Sequence, residues 1–137
     1  TALVDGNPER LERRQWRYAA LLADAERAAR ALLKRFAPGE RVAVWAPNSP
    51  EWVILEFAAA LAGLTLVLVN PAYQGDELAH VLGHSSADGL FLADVRGRLP
   101  RLRDVLSFGE WDAFTADGTV GELPDVDPGR EPRWTGR

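Results

Sequence analysis

The sequence predicts an α/β fold, a partial parallel or mixed sheet with flanking helices. Three observations carry that reading. The run Val42-Ala43-Val44-Trp45 is apolar on both faces and leads through Pro47-Asn48-Ser49-Pro50 into an apolar helix. The segment from Ala60 to Tyr73 reads as a helix end, a glycine stop at Gly63, a second short apolar strand and a polar turn. Strand, loop and helix thus follow one another twice, and short strands without polar alternation are typical of parallel sheets covered by helices on both faces.

The remaining elements follow in order. Residues 2–5 read as a short strand ended by the turn signal Gly6-Asn7-Pro8. Residues 15–18 return as a second strand, and the charged stretch 8–14 between them reads as a loop. Residues 19–36 form the clearest helix. Leu21, Leu22, Ala25, Ala28, Ala29, Leu32, Leu33 and Phe36 make one apolar stripe, and Pro38-Gly39 stops it. Glu26 and Arg30, four apart, form a weakly favourable pair of ~0.2–0.5 kcal/mol.

Residues 41–46 read as an interior strand. Ser49 is the expected N-cap and Pro50 the first residue of the following helix, which runs to residue 62. That helix is apolar almost all round, so it needs cover on more than one side. Trp52 and Phe57 within it read as core. Residues 65–69 give the next interior strand, 75–84 a helix, 89–93 a third strand of the repeat, 104–108 a fourth, and 111–116 a short helix or turn. Beyond that, glycine and proline break up the chain. The expected division is a folded region over 1–116 and an extended or disordered tail or linker over 117–137.

Composition narrows the function classes. With 137 residues, 47% hydrophobic and 26% charged, the chain has the make-up of one soluble globular domain. A net charge of −4 gives no reason to expect nucleic acid as a partner. No apolar run reaches the ~18–20 residues needed to span a bilayer. The absence of cysteine excludes disulfides and thiolate sites from this chain and fits a cytoplasmic location. The absence of methionine suggests a cut or processed N-terminus. Lys34 is the only lysine, so any lysine chemistry must use it.

Chemistry-bearing motifs are few. There is no Gly-Lys pair of a phosphate-binding loop, no GxGxxG after a strand and no Gly-x-Ser-x-Gly elbow. His80 and His84 lie four apart on an expected helix, with Asp76 one turn earlier. Two imidazoles and a carboxylate are competent metal ligands. Gly83 weakens the helix there and no second cluster supplies further ligands, so the sequence favours an ordinary helix end and no metal site.

The loops after the two apolar strands carry more weight, because open α/β sheets bind ligands beyond the carboxyl ends of their strands. Asn48, Asn70 and Tyr73 are therefore the candidate substrate-binding residues, with the two asparagines expected to face a shared crevice. In the competing reading, Asn48-Ser49-Pro50 caps a helix and Asn70-Pro71 sets a turn.

Five segments in order carry a family resemblance: Arg17-Tyr18-Ala19-Ala20-Leu21-Leu22, Gly39-Glu40-Arg41-Val42-Ala43-Val44, Asn48-Ser49-Pro50-Glu51-Trp52, the stretch from Ala60 to Tyr73, and Glu77-Leu78 followed by Val81-Leu82. Together they resemble the N-terminal portion of AMP-forming acyl-CoA synthetases, part of the large domain of adenylate-forming enzymes. The likeness covers about residues 2–108. It implies ATP-dependent activation of a carboxylic acid to an acyl-adenylate, then transfer to coenzyme A, with ATP, Mg²⁺ and coenzyme A serving the full-length enzyme and none bound by this chain alone.

The family's Ser/Thr/Gly-rich phosphate loop and catalytic lysines have no counterpart here. Thr135-Gly136 is a faint echo of the loop, and Lys34, expected mid-helix, matches neither lysine. No catalytic residue is carried over. The departure suggests an artificial end, a truncated gene or a frame change near Asp127. Arg17 stands where the family usually has a small hydroxyl residue, so a helix cap is expected to be lost. The leading expectation is a ligase fragment, inactive alone, whose partner is the remainder of the synthetase chain or a second copy. The alternatives are a standalone non-catalytic ligand-binding or protein-interaction module and, ranked lower, an independent flavodoxin-like or response-regulator-like domain.

Overall fold

The structure, a computed structural model, describes residues 1–6, 13–73, 75–92, 104–119, 121 and 123–124. A two-stranded antiparallel hairpin, β1 (Leu3–Val4) and β2 (Gln15–Trp16), precedes α1 (Tyr18–Leu33). Then come β3 (Arg41–Trp45), α2 (Pro50–Ala62), β4 (Thr65–Leu68), α3 (Gly75–Ser85), β5 (Gly89–Leu92), β6 (Asp104–Ser107) and α4 (Trp111–Ala116). Strands β3 to β6 form one parallel sheet in the order β4-β3-β5-β6.

Alternation of side chains across the strands divides the interior in two. Val42, Val44, Phe91 and Leu106 face α1, α2 and α4. Ala43 and Leu90 face α3, with Leu78 and Leu82 opposite them. Helix α2, too apolar for one-sided burial, is covered by α1 as well as by the sheet. Phe91 is fully buried and anchors an aromatic cluster, with ring centroids 5.6 Å from Phe108, 6.3 Å from Trp111 and 5.3 Å from Phe114.

Helix α2 has the ends its sequence encodes. Ser49 Oγ accepts the Trp52 amide at 3.2 Å, Pro50 opens the first turn, and Gly63 closes the helix at φ 74°. At α1 the N-cap position falls on Arg17, whose backbone is extended and whose side chain makes no cap bond, as the missing hydroxyl residue predicts. Glu26 and Arg30 pair at 3.5 Å.

Several expectations are corrected. Tyr18 begins α1 instead of ending a strand, because β2 pairs with only the two residues of β1. Helix α1 ends at Leu33, so exposed Lys34 is its C-cap and is not mid-helix. Strand β4 lies at the end of the strand order and is not interior, and Leu68 is 66% exposed. Phe57 is half exposed and is not core, whereas Trp52 packs against the core as expected. Leu22, at the margin of the α1 stripe, is also half exposed. Residues 108–110 form a 3₁₀ turn after a shorter β6.

A second 3₁₀ turn, Asp117–Thr119, packs on α1 within the stretch that the sequence assigns to the tail. The Asn7-Pro8 turn, most of the 8–14 loop, Ala93 and residues 125–137, with Thr135-Gly136, lie outside the described residues.

Two predictions follow from these contacts. A Cβ at Gly118 would sit 1.8 Å from the backbone oxygen of Arg27, so Gly118→Ala must push the turn off α1. It is expected to lower stability by about 1–3 kcal/mol, read from urea denaturation midpoints. Arg17→Ser supplies the missing cap and is expected to raise stability by about 1 kcal/mol in the same measurement.

Candidate functional site

In the order β4-β3-β5-β6 the chain steps outward from β3 to β4 and then returns to the other side of β3 for β5. Strands β3 and β5 therefore flank the topological switch point, beyond whose carboxyl end α/β sheets bind ligands. A cleft of about 810 Å³ opens there. Its walls are the hairpin β1–β2, the loop from β3 into α2 and the turn after β6, with Asp5, Arg14, Asn48, Ser49, Glu51 and Phe108 among the lining residues.

The polar floor of the cleft is an ionic bridge across 46 residues of sequence. Asp5, 4% exposed, accepts from Arg14 Nε at 3.1 Å and pairs with Nη2 at 3.0 Å. Arg14 Nη1 reaches Glu51 Oε1 at 2.6 Å in the first turn of α2. The guanidinium also lies 5.3 Å from the Trp16 ring centroid, and Trp16 Nε1 donates to Asp24 of α1 at 2.8 Å. These contacts seat the hairpin on both helices.

The hydrogen bond to Glu51, aided by the one to Asp5, raises the Arg14 pKa, against an opposing effect of burial. A raised folded-state pKa stabilises below the unfolded value. Arginine is always charged at ordinary pH, so this contribution stays constant through the neutral range.

The predicted residues separate. Asn48 is exposed on the cleft wall. Asn70 and Tyr73 are not among the lining residues. They form their own turn beyond β4, where Asn70 Oδ1 accepts the Ala72 amide at 2.9 Å and Asn70 O accepts the Tyr73 amide at 3.0 Å. Ser49 uses its hydroxyl for the helix cap.

Asp5, Arg14 and Glu51 escape sequence reasoning because their association is long-range. The only local sign is a carboxylate placed after an apolar pair in a short strand. Among the described residues, no group of three or more His, Asp or Glu side chains is arranged to hold a metal ion. No helix of the described residues is long and apolar enough to cross a membrane.

The sequence profile of the AMP-binding enzyme family matches residues 1–128. Triostin synthetase I of Streptomyces triostinicus is 37% identical over 125 residues, covering 81% of this chain and 24% of that protein. The mitochondrial medium-chain acyl-CoA ligase of Rattus norvegicus is 43% identical over 74 residues, covering 53% of this chain and 12% of that protein. The N-terminal subdomain of Klebsiella oxytoca NpsA, solved in complex with 3-hydroxybenzoyl-AMSN, superimposes with a TM-score of 0.70 at 25% identity, covering 82% of this chain and 29% of that one. The chain thus spans between about an eighth and a quarter of the lengths of these two curated relatives.

Arg14→Leu would remove the guanidinium that joins Asp5 to Glu51. We expect a loss of about 1–3 kcal/mol and a red shift of Trp16 fluorescence as the hairpin lifts, while Arg14→Lys, unable to bridge both carboxylates with a fixed fork, recovers only part of it.

Proposed function

The chain belongs to the AMP-binding enzyme family, and on that premise we propose that it is a scaffold portion of an AMP-forming acyl-CoA ligase. Such an enzyme condenses a carboxylic acid with ATP to give an acyl-adenylate and pyrophosphate. Coenzyme A then displaces AMP to give the thioester. In this reading the 137 residues shape one wall of the site and do not carry out adenylation alone.

The observation behind the proposal is the charge state of the cleft. Its only cationic side chain among the described lining residues, Arg14, is already held by Asp5 and Glu51. A triphosphate needs fixed cations and donors aimed at its oxygens. The residues present do not fit it, and no step through ATP or Mg²⁺ is assigned to them.

Asn48, exposed on the cleft wall, is the proposed substrate contact from β3, and Asn70 and Tyr73 are proposed contacts from the β4 end. The remaining synthetase chain, or a second copy, is the proposed partner. A cytoplasmic location is proposed, with the rat relative's mitochondrial designation pointing to a second compartment to be tested.

A standalone binding or interaction module is the second reading, favoured by a core packed on both faces of the sheet. The isolated chain is expected to show no acid-dependent ATP–pyrophosphate exchange. Exchange at the rate of a complete ligase would overturn the scaffold reading. Binding of a fluorescent apolar dye separates the two readings: strong binding is expected of a scaffold portion, and a dye-silent monomer of a module.

A further inference from the structure

Helix α3 runs unbroken from Gly75 to Ser85, so Gly83, one of the sequence's grounds against a metal-binding histidine pair, does not interrupt it. His80 and His84 are both exposed, and their rings lie 6.1 Å apart with only 12° between their planes. That separation is the axial rise of four residues in an α-helix. The helix thus presents two imidazoles on one side, in register, at the spacing of an i, i+4 pair.

From this arrangement we propose that His80 and His84 form a surface chelate for a divalent late first-row transition metal ion, with water filling the remaining positions. Imidazole suits zinc, copper and nickel, and affinity among such ions peaks at Cu²⁺. Metal–nitrogen bonds of ~2.0–2.1 Å bring two adjacent ligand atoms to roughly 3 Å of one another. The rings reach that by tilting about their exposed side-chain bonds, without backbone movement.

The site has two protein ligands, in keeping with the absence of any three-donor cluster among the described residues. Its consequence is structural. The pair exists at this spacing only while α3 is helical, and α3 supplies the residues opposite Ala43 and Leu90 on its face of the sheet. Metal binding therefore favours the folded chain over the unfolded one.

The test is thermal denaturation of the 137-residue chain with and without CuCl₂, alongside His80→Gln and His84→Gln. These exposed positions tolerate glutamine without loss of fold. The expected result is a Cu²⁺-dependent rise in Tm that both single variants lose, with two-nitrogen hyperfine coupling in the EPR spectrum of the parent chain only. An equal rise in all three proteins would place the ion elsewhere, for instance at the N-terminal amine, and overturn the proposal. No rise in the parent chain would overturn it as well.

Discussion

The whole arrangement depends on the burial of β3 between two parallel neighbours. Val42, Ala43 and Val44 are each 1% exposed or less, and they send side chains alternately to the two cores. With β4 on one side and β5 on the other, β3 is paired in parallel register along both of its edges. That placement makes β3 the switch point of the topology, so the loop leaving it opens into a crevice. Burial of these three residues thus fixes the order of the sheet, the side taken by each helix and the location of the cleft.

The hairpin converts that crevice into a walled cleft, and it does so with charge. Two residues of β pairing are too few to hold it. Its position comes from Leu3 and Trp16 packing on the larger core, from the Trp16–Asp24 hydrogen bond, and from Arg14 bridging Asp5 to Glu51. Removing one partner of a buried ion pair is costly, so the Asp5–Arg14 contact helps to hold the hairpin in place. The same bridge leaves the cleft without a free cation among its described lining residues. A single interaction therefore both builds the wall and engages the cationic side chain, Arg14, among the cleft's described lining residues.

The large secondary elements were legible because their signals are local. Ser49, Pro50 and Gly63 mark the ends of α2 through backbone chemistry that no distant contact overrides, and the period of α1 shows its buried face. Arg17 was legible in the same way, as a cap that is missing. The errors have a common origin. The apolar run of β4 resembles that of β3, yet one strand is central and the other lies at the end of the order, since composition does not name a strand's neighbours. Phe57 projects from the side of α2 left uncovered by α1 and the sheet, and helix periodicity alone does not say which sides will be covered.

The sequence by itself determined the alternation of strands and helices, the ends of α2 and the family likeness, all of which reside in contiguous residues. Tertiary structure alone decided the strand order, the assignment of Asn48 to the cleft and of Asn70 and Tyr73 to a separate turn, and the joining of Asp5, Arg14 and Glu51. The physical reason is that these depend on which surfaces are buried against one another, and Arg14 and Glu51 lie 37 positions apart in the sequence.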